Sequence, residues 1–346
     1  MSKPHEPLTL KDLARHLGIS PATVSTVLNN KHQDRRISAA TVDAVRQAAR
    51  ELGYRPDVRA RRMRSRPGER PWVVAIISAV ESPIDYIGPL LRTLDTMTTN
   101  AGGDLPPIEV NVALFHGGRL RELSGLADGS LCNGAIITNS RPEDDAWLAE
   151  TTLPMPTILW GRTVPGYSSL RTTHDTGGEA AQELQRVGAK HLAVIVPPYL
   201  TETTAGRLAS FDAMAEKLYG RPADHIATGA ISEHHGHIAT RDYLAGGGQA
   251  DGLFTMLDTY AVGAYRAIRE SGRRVPDDFL VIGHDDRPIA QYLEPPLTTF
   301  AAVASEMRRS AVEMLMSQLN GTRPEVRTEI FECKIQRRAS TARPPA

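Results

Sequence analysis

The sequence predicts an α/β protein: an N-terminal all-α helix-turn-helix headpiece, then two doubly wound parallel-sheet subdomains. Three observations predict it. Apolar residues between positions 10 and 52 recur at helical spacing in three short stretches. From Trp72 onward, short β-branched runs alternate with helical ones. The charge is also divided. Positions 1–70 carry fifteen Lys/Arg against seven Asp/Glu and positions 71–346 carry 25 against 33, so a net charge of zero hides a basic end on an acidic body.

In the first stretch Leu10, Leu13, Ala14 and Leu17 fall on one helical face. Gly18 breaks the period, Ser20 offers a capping hydroxyl, and Pro21 stands where its missing N–H is harmless. Val24, Val27 and Leu28 stripe the second helix. Two short helices joined by a turn with glycine form a helix-turn-helix, whose second helix enters the DNA major groove. A third helix runs from a Ser38 cap along Val42, Val45, Ala49 and Leu52 until Gly53. The local basic excess suits a phosphate-binding surface. Next comes DVRARRMRSRPGER (57–70), a basic linker with too little apolar surface to pack alone.

The body starts with VVAIIS (73–78), a run of the kind buried parallel strands show. It continues with a helix over IGPLLRTLDTMTTNAGG, a strand EVNVALF, a helix GRLRELSGLADG and a strand GAIITN. The helix DDAWLAETTLP and strand PTILWG close the first layer system. After a polar stretch near 164–169 a second begins, with strands predicted in HLAVIVP, IATGAI, DGLFTM and FLVIGHDD between helices. PPLTTFAAVASEMRRSAVEMLMSQLNG passes from a strand into a long helix, and VRTEIFECKIQRR reads as one last strand. Two such halves face each other across a cleft, and ligands bind at the carboxyl ends of the strands. The expected organisation is a headpiece over 1–56, a linker over 57–70 and a body over 71–340. The body divides into 71–163 with 296–323 and 164–295 with 324–340.

Composition excludes several classes. Cys132 and Cys333 are far apart, which argues against a disulfide framework and suits a reducing cytoplasm. No segment has the apolar length to span a bilayer, and MSKPHEPLTL lacks a signal-peptide core, so a cytoplasmic protein is expected. No G-x-G-x-x-G, G-x-S-x-G or H-E-x-x-H run occurs, so neither an enzyme nor a cofactor is expected. Glu233, His234, His235 and His237 do not form a known ligand pattern and read better as a helix start capped by Ser232.

The runs LTLKDLARHLGISPATVSTVLN and ELGYRP together closely resemble the headpiece of the LacI-type (lactose repressor) family of bacterial transcription regulators. RLASF (207–211), the 258–278 run, GHDD (283–286) and PPLTT (295–299) extend the likeness to that family's effector domain, itself like type I periplasmic sugar-binding proteins. The resemblance implies a dimeric regulator, read as a repressor, on a near-palindromic operator, its affinity modulated by a sugar or sugar derivative in the cleft; some relatives are instead activated by a corepressor, which leaves the sign of the effect open. A sugar-binding protein or an enzyme on the same body fold is the alternative. It implies that Pro21, Ala22 and Thr26 read base edges; Thr26 stands where many members carry arginine. Thr23, Ser25 and Asn29 are placed on phosphates or sugar. The linker becomes a hinge helix with Met63 as the minor-groove wedge and Arg59, Arg61 and Arg62 on phosphates, the alternative being a flexible basic tether.

For the effector, Arg207 matches the family's ligand arginine, and its planar fork suits vicinal hydroxyls, a carboxylate or a phosphate. Asp285, at a strand end, is the second choice, with Asp286 the more structural neighbour. The pattern departs elsewhere: Leu257-Asp258 replaces an Asn-Asp pair, Thr173-His174 replaces V-D-N and Gly161-Arg162 replaces D-R. Asp258, His174 and Arg162 are therefore candidates, with Trp160 and Tyr86 as rings on which a sugar could stack. These departures leave the effector open among a sugar, a sugar acid and a sugar phosphate. RRASTARPPA carries no leucine heptad, so a dimer without a tetramerisation helix is expected.

Overall fold

The first helix, α1 (Leu10–Leu17), stops where Gly18 takes φ 65° and the Ile19 N–H returns to the Ala14 carbonyl at 3.2 Å. In this computed structural model the described residues are 10–28, 37–52, 71–82, 87–100, 106–173, 175–302, 304–321 and 326–342. Ser20 Oγ accepts the Thr23 N–H at 3.0 Å and starts α2 (Pro21–Leu28). Ser38 does the same for Thr41 at 3.2 Å and starts α3 (Ala39–Glu51). Leu13, Ala14, Val24, Val27, Val42, Val45, Ala48 and Ala49 bury one another's stripes. Leu52, expected in that stripe, is exposed because it falls one residue past the helix; Ala48 takes the place in the core. The chain divides into two compact units, Met1–Arg70 and Pro71–Ala346.

The second unit holds two six-stranded sheets. The first is built from β1 (Trp72–Ala79), β2 (Ile108–Phe115), β3 (Gly134–Thr138), β4 (Thr157–Trp160), β5 (Ser168–Thr172) and β11 (Thr328–Phe331), in the order β11-β5-β4-β3-β1-β2 and parallel throughout. Its β1 buries Val73, Ala75 and Ile77 on one face and Val74 and Ile76 on the other, as a strand covered on both sides must. Helices α4 (Ile87–Asn100) and α10 (Ala304–Leu319) supply the second of those cores, and α5 (Pro142–Ala149) contributes Leu148 to the first.

The second sheet contains β6 (Leu192–Val196), β7 (Asp224–Ala227), β8 (Gly252–Thr255), β9 (Leu280–His284), β10 (Thr298–Ala302) and β12 (Cys333–Gln336). Its order is β12-β10-β9-β8-β6-β7, with β12 alone antiparallel to its neighbour. Helices α6 (Thr176–Arg186) and α7 (Glu202–Tyr219) pack on one face, α8 (Glu233–Ala245) and α9 (Asp258–Glu270) on the other.

The sheets divide the chain differently from the sequence reading. Passage between them falls at 172–176, 302–304 and 331–333, not near 163, 295 and 323. SSLRT (168–172) is a first-sheet strand despite its polarity, because Ser168 and Ser169 are buried with hydroxyl partners on Gln318 and Thr328. PPLTTFAA belongs to the second sheet, pairing with β9 and β12. VRTEIFECKIQRR supplies two strands, one per sheet, parted at Glu332. The helix expected over GRLRELSGLADG is only a 3-10 turn at Leu120–Glu122, since Gly118, Gly125 and Gly129 all take positive φ. The strand in IATGAI ends at Ala227.

Candidate functional site

Both sheets aim the carboxyl ends of their strands into one cleft of about 780 Å³. From the first sheet come Asn139 after β3, Trp160 and Arg162 around the end of β4, and Thr172 on β5. From the second come Tyr199 after β6 and His284, Asp285 and Asp286 at the end of β9. Among the described residues, the non-glycine positions with positive φ are Asn139 (57°), Asp285 (109°) and Asp286 (47°), and all three line this cleft. Backbone held in that region costs about 1–3 kcal/mol per residue and gathers at binding sites.

Arg207 is buried in the wall rather than exposed in a surface salt bridge. Its Nη1 donates to the Met256 carbonyl at 2.6 Å, which holds the guanidinium against the end of β8. Burial, then the Arg207 charge, push His284 down to about 4, so its ring is neutral, with Nδ1 3.0 Å from Asp285 Oδ1. Asp286 accepts from Arg338 Nη2 at 2.7 Å, the structural role expected of it.

Arg162 lies under the first-sheet wall with its side chain 3% exposed. Its Nε and Nη2 donate to the Trp160 carbonyl at 3.2 and 2.8 Å, and Nη1 stands 3.6 Å from Asp145. Burial pulls its pKa down to about 10 against the attraction of Asp145, so it keeps its charge at neutral pH. Burial in turn pushes Asp145 up. Trp160 is half-buried, lines the cleft and packs against the first-sheet core.

Asp258 does not face the cleft; its place there falls to Leu257, and its carboxyl is buried beneath the floor. Thr299 and the Arg287 N–H both donate to it, so it shapes the loop after β9 and cannot hold an effector. Tyr86 and His174 lie outside the described residues.

Contacts among the described residues join the two walls at the rim. Thr203 Oγ1 donates to the Gly161 carbonyl at 2.6 Å, and Glu202 Oε2 accepts the Thr163 N–H at 2.8 Å. The Arg141 guanidinium sits 4.5 Å from the Tyr199 ring centroid. Sequence reasoning missed Tyr199 and the lining arginines Arg92, Arg287 and Arg308. Tyr199 had a signal, since it follows a strand end; the arginines had none, because each reads as an exposed face of a helix or turn.

In the headpiece, Pro21 and Ala22 are exposed on the first turn of α2. Thr26 Oγ1 donates to the Ala22 carbonyl at 2.8 Å, which leaves its methyl and its acceptor capacity to a partner. The Thr23 hydroxyl lies 2.8 Å from Ser20 Oγ, inside the cap. Ser25 is half-buried on the same helix. Asn29, Arg59, Arg61, Arg62 and Met63 lie outside the described residues. Ser232 caps α8 through the His235 N–H at 3.2 Å, and His237 Nε2 meets Glu270 at 2.6 Å, which spends the histidine cluster on structure.

Residues 9–57 match the family described as bacterial regulatory proteins, lacI family, and residues 181–341 match a periplasmic binding protein-like domain. The chain thus carries a lacI-family domain followed by a periplasmic binding protein-like domain. The HTH-type transcriptional regulator GalS of Salmonella typhimurium LT2 is 28% identical over 340 residues, covering 97% of both chains. The ribose operon repressor of Haemophilus influenzae Rd is 27% identical over 336 residues, covering 94% of this chain and 96% of the repressor. Among solved structures, the Lac repressor dimer bound to operator and the anti-inducer ONPF has a TM-score of 0.67 at 22% identity, covering 97% of this chain and 99% of that one. The chain is thus a DNA-binding transcriptional regulator and not an enzyme. Among the described residues no helix is long and apolar enough to cross a membrane.

Proposed function

We propose that the chain is a cytoplasmic repressor that binds a near-palindromic operator as a homodimer and changes its operator affinity when a sugar-like small molecule enters the cleft. One observation carries the reading: the cleft lies between two sheets joined by three strand-to-helix or strand-to-strand passages, with latches from both walls at its rim. A ligand touching both walls favours one closure over another, and whatever it does to operator affinity the operator does to its own affinity. The repressor name of the Haemophilus relative and the operator-bound Lac repressor dimer support the sign and the assembly.

In this reading Pro21, Ala22 and the Thr26 methyl touch base edges, while Thr23, Ser25 and Asn29 fix register on the backbone. Arg59 and Arg62 neutralise phosphates, and Met63 wedges the minor groove between half-sites. Arg207, Asp285, Trp160 and Arg162 hold the effector, and Tyr86 and His174 are kept as effector residues from the sequence alone.

The test is selection of bound sequences from a random duplex library by the full-length protein at near-physiological salt. Enrichment of an inverted repeat is the expected result. Binding without enrichment, fading as salt rises, would reduce the headpiece to a phosphate binder and overturn the proposal.

A further inference from the structure

The described cleft walls carry five arginines, Arg92, Arg162, Arg207, Arg287 and Arg308, against two carboxylates, Asp285 and Asp286. Both carboxylates already have partners: Asp286 accepts from Arg338, and Asp285 meets the neutral His284. Asp145 faces Arg162 from behind, yet Arg162 Nη1 is buried without a hydrogen bond among the described residues.

The excess is sharpest on the first-sheet wall. Arg308, in the first turns of α10, has a buried Nε without a hydrogen-bond partner among the described residues. Arg92, on α4, lines the same wall, and its charge repels that of Arg308, which burial also disfavours. No described carboxylate pairs with either. Ile87, Gly88 and Pro89 line the cleft too, so the amino end of α4 faces it and adds a positive dipole end. Two neighbouring guanidiniums at a helix amino terminus, with a donor buried and idle, are a receptor waiting for a planar or tetrahedral oxyanion. A neutral sugar would leave that charge unanswered.

We propose that the effector is an anionic metabolite whose phosphate or carboxylate group sits between Arg308 and Arg92, at the first-sheet wall of the cleft. The inference rests on the cleft being the effector site, and it narrows the effector to the charged members of the sugar-derivative class. The uncharged part of the ligand then extends toward Trp160 and Arg207.

Inorganic phosphate is the probe. It is titrated into the full-length protein at constant ionic strength, with tryptophan fluorescence as the readout, because Trp160 lines the cleft. A saturable change is expected that disappears in W160F, which separates the cleft from the basic headpiece. Loss of one charge-assisted hydrogen bond should weaken the response about tenfold or more in R308Q and in R92Q. Thermal unfolding of each variant near the parent's temperature establishes that the variants fold, and R308K should recover part of the affinity. A fluorescence change of equal midpoint in R308Q and the parent, or no saturable change at all, would overturn the anion site. Duplex selection run without phosphate separates the two readings. An enriched repeat with no phosphate response sinks the anion site alone, whereas a phosphate response with no enriched repeat sinks the regulator reading alone.

Discussion

Thr299 donates its hydroxyl to Asp258 Oδ1 at 2.6 Å beneath the floor of the cleft, joining β10 to the first turn of α9. The other carboxyl oxygen accepts the Arg287 N–H at 2.8 Å, so one buried side chain positions the loop that carries Asp285 and Asp286. Burial, then repulsion from Asp285, push its pKa up to about 8. The folded chain therefore holds a proton there that the unfolded chain has released above about pH 4. Its contribution is largest below pH 4 and is lost as pH rises toward 8.

Asp258→Asn should leave stability at pH 6 within about 1 kcal/mol of the parent. The amide keeps an oxygen for the Arg287 N–H, and the Thr299 hydroxyl can turn to accept from the new NH₂. Asp258→Ala leaves both buried donors unpaired and should lose about 1–3 kcal/mol. Denaturant unfolding between pH 4 and 8 checks both, and the parent's decline with pH should flatten in the Asn variant. An equally steep decline there would show that another group titrates.

Gly177, in the first turn of α6, lets that helix approach α7 so closely that a Cβ would overlap the Arg207 carbonyl. Gly177→Ala must push α7 away from α6, at roughly 1–3 kcal/mol or more. The same shift displaces the Arg207 guanidinium from the Met256 carbonyl. Stability and effector response should therefore fall together, read by thermal unfolding and by the operator response to ligand. A variant that loses stability but keeps the full response would mean that Arg207 does not need this helix position.

Glu183 is buried on α6 and takes two nitrogens each from Arg186 and Arg337, at 2.6–3.0 Å. Hydrogen bonds from Arg186 and then Arg337 outweigh burial and bring its pKa down to about 2. With the folded value below the ordinary one near 4.5, the bond is fully present above pH 4.5 and is lost as pH falls toward 2. Both arginines are more than half exposed, so the effect is screened and amounts to about 1–2 kcal/mol. Glu183→Gln should lower stability at neutral pH by that amount and lessen the acid sensitivity below pH 4.5, followed by circular dichroism.

The helix-turn-helix was legible because Gly18, Ser20 and the apolar stripes of α1 and α2 are local signals, and the structure uses each of them. Which strand joins which sheet was not, because that choice is made by partners 159 residues apart, such as the Ser169 and Thr328 hydroxyls. The cleft wall was half legible. Arg207 and Asp285 stand in family runs and do line it, whereas Asp258 looked like a ligand and is held below the floor by Thr299. Arg308 carried no sequence signal, since its face is set by how α10 packs on the first sheet beside Met307, Ala311 and Leu315.

If Thr26 faces a base as proposed, operator preference can be moved there. Its hydroxyl is tied to the Ala22 carbonyl inside α2, so on that reading it offers a base mainly a methyl. Thr26→Arg keeps the helix, because arginine is a good helix former and Thr26 is not part of the apolar core. Its guanidinium can take guanine O6 and N7 together, a contact worth about 1–3 kcal/mol against other bases. Duplex selection with the variant should show one new guanine in each half-site at unchanged half-site spacing. Should the arginine settle on the backbone instead, the selected repeat stays as in the parent and the salt dependence steepens by about one phosphate per subunit. That result would remove Thr26 from the reading surface and leave Pro21 and Ala22 to carry it.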